Sequence, residues 1–412
     1  MDKRFEALMQ TCEAACAGAF AHIDEIEQTN TARVLRAFQK HRISTRHFAG
    51  TTGYGYGDIG RDALSDVFRD VLGAESALVR PQIASGTHAL ALCLYGVLRP
   101  GDVMLSAAGK PYDTLEEIIG HTGEAGNGSL REFGVRYRQV ELTPHGALDI
   151  PQILTNLTDD VKLVLIQRSR GYDWRPSLGV SEIDDAIAAI HKKKSDVCVM
   201  VDNCYGEFTD EREPAADLMA GSLIKNPGGG IAPTGGYIAG KARFVEKVAY
   251  RLTSPGIGAE VGSYAGGYQP FFQGLFLAPH TVAQAKKTAV LAAKLFSELG
   301  FEVNPAYDET RNDIIQAIKF GAPEKLIKFC QAIQLASPVD SEAVPEPWDM
   351  PGYANPVIMA AGTFVAGASI ELSADAPIRA PYTAYLQGAL TYAHGKYALG
   401  VALEEMRNAG ML

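Results

Sequence analysis

The sequence is poor in cysteine, and what it has is badly placed for crosslinks or metals. Six cysteines occur among 412 residues and none belongs to a C-x-x-C pair. The sequence therefore predicts no disulfide framework. Cys12 and Cys16 are four residues apart on a predicted helix, but no further cysteine or histidine follows at ligand spacing. We expect no metal site.

Two other absences concern partners and membranes. Lys and Arg total 38 against 48 Asp and Glu, so the net charge is −10. This balance argues against a general nucleic-acid binder, because no surplus of cations can neutralise phosphates. It leaves room for a small phosphorylated ligand held by backbone amides. The sequence has no apolar run of about 18 residues and no signal-peptide pattern at its start. We expect a soluble cytoplasmic protein without nucleic-acid or membrane partners.

Strand and helix patterns alternate along the middle of the chain. The runs "VKLVLIQRS" and "VCVMVDN" are almost continuously apolar, and helical patterns fall between such runs. This predicts a mainly parallel sheet covered on both faces, with ligands at the carboxyl ends of its strands. Residues 1–48 have helical spacing, and residues 278–300 predict one long helix. The predicted parts are an N-terminal helical arm and loop (1–60), a large α/β domain (61–277), and a linking helix with a small C-terminal α/β domain (278–412).

Lys225 stands between the apolar run "LMAGSLI" and the glycine-rich segment "NPGGGIAPTGG". Most lysines in proteins are solvated, but the apolar residues before Lys225 argue against a solvated position for it. Burial disfavours an ammonium, so the sequence predicts an amine that can act as a nucleophile. Ser222, three residues earlier, can face the same ligand. The glycine-rich segment lacks the Gly-Lys-Ser/Thr ending of a P-loop, so no nucleotide-binding loop is predicted.

Three further features fall on the same predicted sheet. "ASGTHAL" carries Ser85, Gly86 and Thr87 at the start of a helix, where backbone N–H groups either bind a phosphate or are simply capped by a hydroxyl. Asp202 ends an apolar strand, where it can cap a turn, bind a metal or face a cationic ring nitrogen. Tyr112 follows another strand and suits ring stacking or an ordinary surface turn. A phosphate cradle, a stacking ring, a carboxylate and a nucleophilic lysine are the parts needed to hold pyridoxal phosphate.

Four segments resemble a bacterial family described as methionine gamma-lyase-like or aluminium-resistance proteins. They are "VDNCYGEF", "ADLMAGSLIKNPGGGIAPTGGYIAG", "GYGYGDIGRD" and "SIELSADAPIRAPY". The family is similar to the Cys/Met-metabolism group of fold-type I pyridoxal-phosphate enzymes, and the resemblance covers residues 5–410. It implies a mainly parallel seven-stranded sheet with a smaller C-terminal α/β domain. It also implies that Lys225 joins the cofactor aldehyde, that Asp202 partners the ring nitrogen, and that Tyr112 stacks on the ring. The implied phosphate contacts are Ser85, Gly86, Thr87 and Ser222.

The resemblance also implies a homotetramer, built as a dimer of dimers, in which a neighbouring subunit completes each site. In the Cys/Met group a Tyr-x-Arg segment reaches across to the phosphate. Here "YGYGDIGR" stands in that place with different spacing, so Tyr56 and Arg61 are the candidates. The implied catalytic residues are then Lys225, Tyr112 and Tyr56.

Arginines offer three more candidate contacts. Arg379 in "SADAPIRAPY" is the candidate for binding the substrate α-carboxylate, because a guanidinium binds carboxylates in a bidentate way. An internal ion pair with Glu371 or Asp375 is the alternative. Arg168 or Arg170 either lies beside the ring hydroxyl or forms a structural ion pair.

The implied function is that of a pyridoxal-phosphate-dependent carbon–sulfur lyase, similar to methionine gamma-lyase or cystathionine beta-lyase. Lys225 would remove the α-proton of an amino-acid substrate, and a β- or γ-thiol would leave. The segment "SLIKNPGGG" differs from the Ser-x-Thr-Lys-Tyr segment of the Cys/Met enzymes, so the substrate stays open. Alternatives are an aminotransferase, a racemase, an aldolase, or a non-catalytic cofactor-binding stress protein.

Overall fold

The computed structural model describes residues 3–350 and 352–412. The helices are α1 (Lys3–Ala15), α2 (Ala17–Lys40), α3 (Ile59–Leu72), α4 (Gly86–Val97), α5 (Asp113–Ile119), α6 (Ile150–Asn156), α7 (Val180–Lys193), α8 (Ala242–Leu252), α9 (Gln269–Glu298), α10 (Pro323–Leu335) and α11 (Tyr392–Asn408). The strands are β1 (Ser76–Arg80), β2 (Val103–Ser106), β3 (Arg136–Gln139), β4 (Val161–Gln167), β5 (Cys198–Asp202), β6 (Leu218–Ser222), β7 (Gly236–Gly240), β8 (Glu302–Asn304), β9 (Ile315–Lys319), β10 (Val357–Ala360), β11 (Ser373–Pro377) and β12 (Thr383–Gln387).

The large sheet has seven strands in the order β1-β7-β6-β5-β4-β2-β3. Strands β2 to β6 pair in parallel, whereas β7 runs antiparallel to both β6 and β1. Both faces are covered. Val199 and Val201 pack in one core with α3, α7 and α9, while Cys198 and Met200 pack in another with α4 and α8. Apolar residues are therefore required at consecutive positions, which explains the continuous apolar strands and confirms the predicted sheet.

The small sheet has five antiparallel strands in the order β10-β11-β12-β9-β8. It has its own core, in which the sheet packs against α10, α11 and the last turns of α9. On β11 the side chains alternate: Ala374 and Ala376 enter this core, whereas Ser373 and Asp375 lie on the opposite face. The two sheets thus belong to separate cores connected by α9.

Helix α9 begins nine residues before its predicted start at residue 278. A proline is favoured in the first turn of a helix, and "APHTV" shows such a proline. In the structure Pro270 occupies the first turn and Pro279 lies inside the helix. The segment predicted as helical over 1–48 forms α1 and α2, ends at Lys40, and resumes only as a short 3₁₀ turn; residues 1 and 2 lie outside the described residues.

No helix in the described part of the chain combines the length and hydropathy needed to cross a bilayer.

Candidate active site

The two sheets enclose a cavity of about 240 Å³ at the carboxyl edge of the large sheet. One wall comes from the large domain: the start of α4 and the segments that follow β2, β4, β5 and β6. The other wall comes from β10, β11 and the loop between them. Six of the predicted residues line this cavity together with Lys225, and they are Ser85, Gly86, Thr87, Tyr112, Asp202 and Ser222. The position agrees with the rule for parallel sheets.

Lys225 directly follows β6 and reaches the cavity, where its Nζ lies 4.1 Å from the centroid of the Tyr205 ring. Burial lowers the pKa of Lys225, but Tyr205, Cys204 and Asp202 raise it by more, so the net pKa lies above its ordinary value. The prediction that apolar surroundings disfavour the ammonium is therefore wrong for the side chain without cofactor. Tyr205, Cys204 and Asp202, which the sequence does not place beside Lys225, reverse the effect.

The glycines after Lys225 let the loop pack closely against α9. A Cβ on Gly229, which has a φ of 55°, would lie 2.4 Å from the carbonyl oxygen of Gly274 on that helix. A Cβ on Gly228 would lie 1.8 Å from the carbonyl oxygen of Leu223. These close approaches lie within the same chain, and they fix the backbone that carries Lys225.

Asp202 is the last residue of β5 and is buried. Its Oδ1 accepts a hydrogen bond from the backbone N–H of Cys204 at 3.2 Å, so the turn-capping role is present. Burial raises the pKa of Asp202, although Lys225 and the bond from Cys204 oppose the shift. Within residues 3–350 and 352–412, no three His, Cys, Asp or Glu side chains are grouped to hold a metal. The capping role is therefore observed, and pairing with a cationic group stays a prediction.

The start of α4 forms the third part of the site. The Ser85 hydroxyl caps the helix by accepting from the N–H of His88 at 3.0 Å. The Thr87 hydroxyl lies 2.9 Å from that of Thr114. A Cβ on Gly86 would lie 3.2 Å from the Cys204 sulfur. Capping and anion binding are compatible here, because one cap leaves other N–H groups of the first turn open to an anion.

Tyr112 belongs to a group of tyrosines that the sequence does not reveal. Its hydroxyl lies 2.9 Å from the hydroxyl of Tyr353, and its ring centroid lies 5.8 Å from that of Tyr172. Burial, with Tyr353 and Tyr205 nearby, raises the pKa of Tyr112 well above its ordinary value. Tyr112 is thus an inner wall residue that keeps its proton at neutral pH.

The small domain contributes polar groups that sequence reasoning missed. Asp375 is buried, and its Oδ2 accepts from the Gln387 amide at 2.9 Å. Its Oδ1 and the Ser373 hydroxyl have no hydrogen-bond partner among the described residues. Burial raises the pKa of Asp375 to about 7. The alternation of polar residues with alanine in "SADAP" is the signal that would have found this face.

Tyr56 and Arg61 do not line the cavity of the single chain. Tyr56 is 67% exposed. Arg61 is buried, with Nη1 donating to the carbonyl of Gly55 and Nε to Asp62, each at 2.9 Å. The proposed contact across a subunit boundary stays a prediction.

Arg379 is exposed and lies outside the cavity, and its guanidinium donates a hydrogen bond to the carbonyl oxygen of Tyr172 at 3.2 Å. The alternative ion pairs are not formed. Glu371 instead accepts the backbone N–H groups of Phe364 and Val365, both at 2.9 Å. The carboxylate role of Arg379 remains a prediction.

Arg168 and Arg170 form the structural ion pairs that were one of their two predicted roles. Arg168 donates to Glu213 at 2.9 Å, and both side chains are fully buried. Arg170 lies 3.6 Å from Asp313, again with both side chains buried. Neither arginine lines the cavity.

The lining residues fit pyridoxal phosphate. The open first turn of α4, the hydroxyl of Ser222 and the small residue Gly86 suit a phosphate. The carboxylate of Asp202 suits a protonated ring nitrogen, and the amine of Lys225 suits an aldehyde. Tyr112 would flank the ring.

Known proteins match this chain over nearly its full length. The uncharacterized protein YnbB of Bacillus subtilis is 53% identical over 397 residues, which is 96% of this chain and 94% of YnbB. A carbon–sulfur lyase involved in aluminium resistance from Clostridium novyi has 50% identity and a TM-score of 0.95, covering 98% and 96% of the two chains. A candidate cystathionine beta-lyase involved in aluminium resistance from Listeria monocytogenes has 49% identity and a TM-score of 0.95, covering 97% and 99%.

A more distant structure shows the fold alone. The pyridoxal-5'-phosphate-dependent protein YhfS of Escherichia coli shares 16% identity at a TM-score of 0.61, over 94% of this chain and 97% of its own. The architecture is therefore that of a fold-type I pyridoxal-phosphate enzyme. The model of the family described as methionine gamma-lyase matches residues 5–407. The chain belongs to the methionine gamma-lyase family.

Proposed function

We propose that this protein is a pyridoxal-phosphate-dependent carbon–sulfur lyase that acts on a sulfur-containing amino acid. The observation that carries the proposal is the meeting of Lys225, Asp202 and the start of α4 in one cavity. The family model and the names of the Clostridium and Listeria relatives support the same class of reaction.

The side chains have distinct tasks in such a reaction. When bound, pyridoxal phosphate supplies an electron sink for the carbon that loses its proton. Asp202 keeps a proton on the ring nitrogen through its buried carboxylate. Lys225 accepts the α-proton at Nζ, since its amine opens into the cavity where the substrate must lie.

Tyr112 supplies the proton that a departing thiolate needs. Its hydroxyl carries a proton, and its hydrogen-bonding contact with Tyr353 orients it at the cavity wall. The sulfur leaves more readily as a thiol than as a thiolate, so an acid beside it assists the elimination. Tyr353 would then share the proton through the 2.9 Å contact between the two hydroxyls.

We further propose that the protein is a homotetramer in which Tyr56 and Arg61 approach the phosphate of a neighbouring site. Glycines 53, 55 and 57 all have positive φ values of 65–67°. This backbone projects Tyr54 and Tyr56 outward, and they are 74% and 67% exposed. Two adjacent exposed rings are costly unless a partner surface covers them.

A substrate panel tests the reaction. Purified protein with bound cofactor is mixed separately with L-cystathionine, L-methionine and L-homocysteine, and 2-oxo acid, thiol and ammonia are measured together. Pyruvate from cystathionine marks β-elimination, and 2-oxobutanoate marks γ-elimination. Lys225→Ala should abolish both products, while Lys192→Ala, at an exposed position of α7, should not. Formation of a 2-oxo acid with neither ammonia nor thiol would show that the protein is an aminotransferase and not a lyase.

A further inference from the structure

A second cavity, of about 470 Å³, lies between α2, α9 and residues 307–312. It shares no lining residue with the candidate active site. It is also larger than that cavity, and its size suits a small metabolite.

The wall of this second cavity carries an excess of buried positive charge. Four buried cations lie near one another here, Arg168, Arg170, Lys286 and Arg311, and two of them are paired with the buried carboxylates of Glu213 and Asp313. Arg168 pairs with Glu213, and Arg170 pairs with Asp313. Lys286 and Arg311 are the two left over, each 4% exposed and without a carboxylate within 4.0 Å in the part of the chain that the structure describes. Both line the cavity.

The two cations also keep unused donors. Lys286 donates one hydrogen bond, to the carbonyl of Thr209 at 2.7 Å. Within the described part of the chain, Arg311 donates only through Nη2, to Gln316 at 2.6 Å and to the carbonyl of Ala306 at 3.4 Å. Its Nε and Nη1 are buried without a partner among the described residues. Buried polar groups of this kind are normally satisfied, so the pair indicates an anionic occupant.

Electrostatics support the same conclusion. Burial, with the nearby charge of Arg311, lowers the pKa of Lys286 to about 7. Burial, with the nearby charge of Arg170, lowers the pKa of Arg311 to about 9. An anion between them would stabilise both charged forms.

The remaining lining narrows the class of ligand. Ile23, Ile26 and Val290 form an apolar side of the cavity. Four acidic residues line it elsewhere and are at least partly exposed; they are Asp210, Glu211, Asp308 and Glu309. Such a rim repels phosphate esters and other polyanions, but it attracts an ammonium.

We propose that this second cavity binds a zwitterionic amino acid with an apolar side chain. Its carboxylate lies against Lys286 and Arg311, its ammonium faces the acidic rim, and its side chain packs on Ile23 and Val290. The proposal is independent of the reaction catalysed at the other cavity.

Three probes test the proposal on the protein with bound cofactor. They are L-norleucine, hexanoate, which lacks the amino group, and pentylamine, which lacks the carboxylate. Calorimetry detects binding at every site, whereas the visible spectrum of the cofactor responds only to binding at the active site. We expect L-norleucine to show a second, spectrally silent site that it fills about tenfold or more tightly than either partial analogue.

Substitutions locate that silent site. Lys286→Met and Arg311→Met should each weaken silent binding of L-norleucine about tenfold or more, with the spectral response unchanged. The double variant Glu211→Gln, Asp308→Asn changes two exposed residues. It should weaken the binding of L-norleucine but leave the binding of hexanoate unchanged or tighter. This variant keeps the test valid if a variant at a buried position does not fold. Absence of any saturable silent binding, or silent binding that survives all these changes, overturns the proposal.

Discussion

The amine of Lys225 lies over the ring of Tyr205, 4.1 Å from its centroid. Tyr205 has a φ of 71°, which is uncommon for a residue other than glycine. Its hydroxyl accepts a hydrogen bond from Ser369, a residue of the small-domain wall, at 3.2 Å. A cation over an aromatic face is attracted by about 1 kcal/mol or more when partly desolvated. Tyr205 therefore favours the charged form of Lys225.

Replacing Tyr205 should change how the lysine captures the cofactor. Tyr205→Leu removes the ring and the hydroxyl, so the pKa of Lys225 should fall and capture should begin at lower pH. Tyr205→Phe keeps the ring and should lie between the wild type and the leucine variant. The measurement is the pH dependence of visible absorbance after pyridoxal phosphate is added to cofactor-free protein. An unchanged pH midpoint in the leucine variant would contradict this role.

Glu207 predicts a pH dependence of stability. Burial raises its pKa from 4.5 to about 8. Its Oε1 accepts from the Tyr237 hydroxyl at 2.7 Å, and its Oε2 has no hydrogen-bond partner among the described residues. Between these two values the unfolded chain has lost this proton while the folded chain keeps it. Stability therefore falls with rising pH through that window, at most by about 1.4 kcal/mol per pH unit.

Glu207→Gln should remove that slope. The variant should gain stability relative to the wild type as pH rises from about 5 to about 8, reaching a few kcal/mol. Urea unfolding at several pH values measures the difference, and Glu124→Gln at an exposed position is the control. A constant difference across the window would show that Glu207 is ionised in the folded protein.

The fold was predictable from the sequence because burial leaves a local signature. Strand β5 is covered on both faces, so its residues are apolar in succession and the polar Asp202 stands out at its end. Lys225 stood out for the same reason. Neighbours brought together by folding leave no such signature. The sequence cannot show that Tyr205 lies under Lys225 or that Asp375 faces the same cavity, and the lysine pKa was misjudged for that reason.

The tyrosines at positions 54 and 56 should control assembly. Their rings are exposed and 5.8 Å apart. The double variant Tyr54→Ser, Tyr56→Ser should shift the mass measured by light scattering from a tetramer toward smaller species. Tyr397→Ser, which changes a tyrosine that is 65% exposed on α11, is the matched control. A wild-type protein that is monomeric and fully active at micromolar concentration would refute the assembly.

Arg379 should bind the substrate α-carboxylate by exchanging its contact with the Tyr172 carbonyl for the substrate. Arg379→Ala should then lower kcat/KM about a hundredfold, which corresponds to a few kcal/mol. Arg379→Lys should be nearly as poor, because a lysine loses the two-pronged geometry. The visible spectrum of the cofactor should be unchanged, and Arg131→Ala serves as an exposed control. Near-normal kcat/KM in the alanine variant would show that another group binds the substrate α-carboxylate.

The two walls of the catalytic cavity are supported by different hydrophobic cores. Lys225 and Asp202 rest on the core of the large sheet, whereas Ser373 and Asp375 rest on that of the small sheet. A substitution on the cavity face of β11 changes what the cavity accepts without disturbing the backbone that carries the lysine. Natural variation and directed evolution can therefore change the substrate through residues of β11, while Lys225 and Asp202 on the large sheet keep their positions.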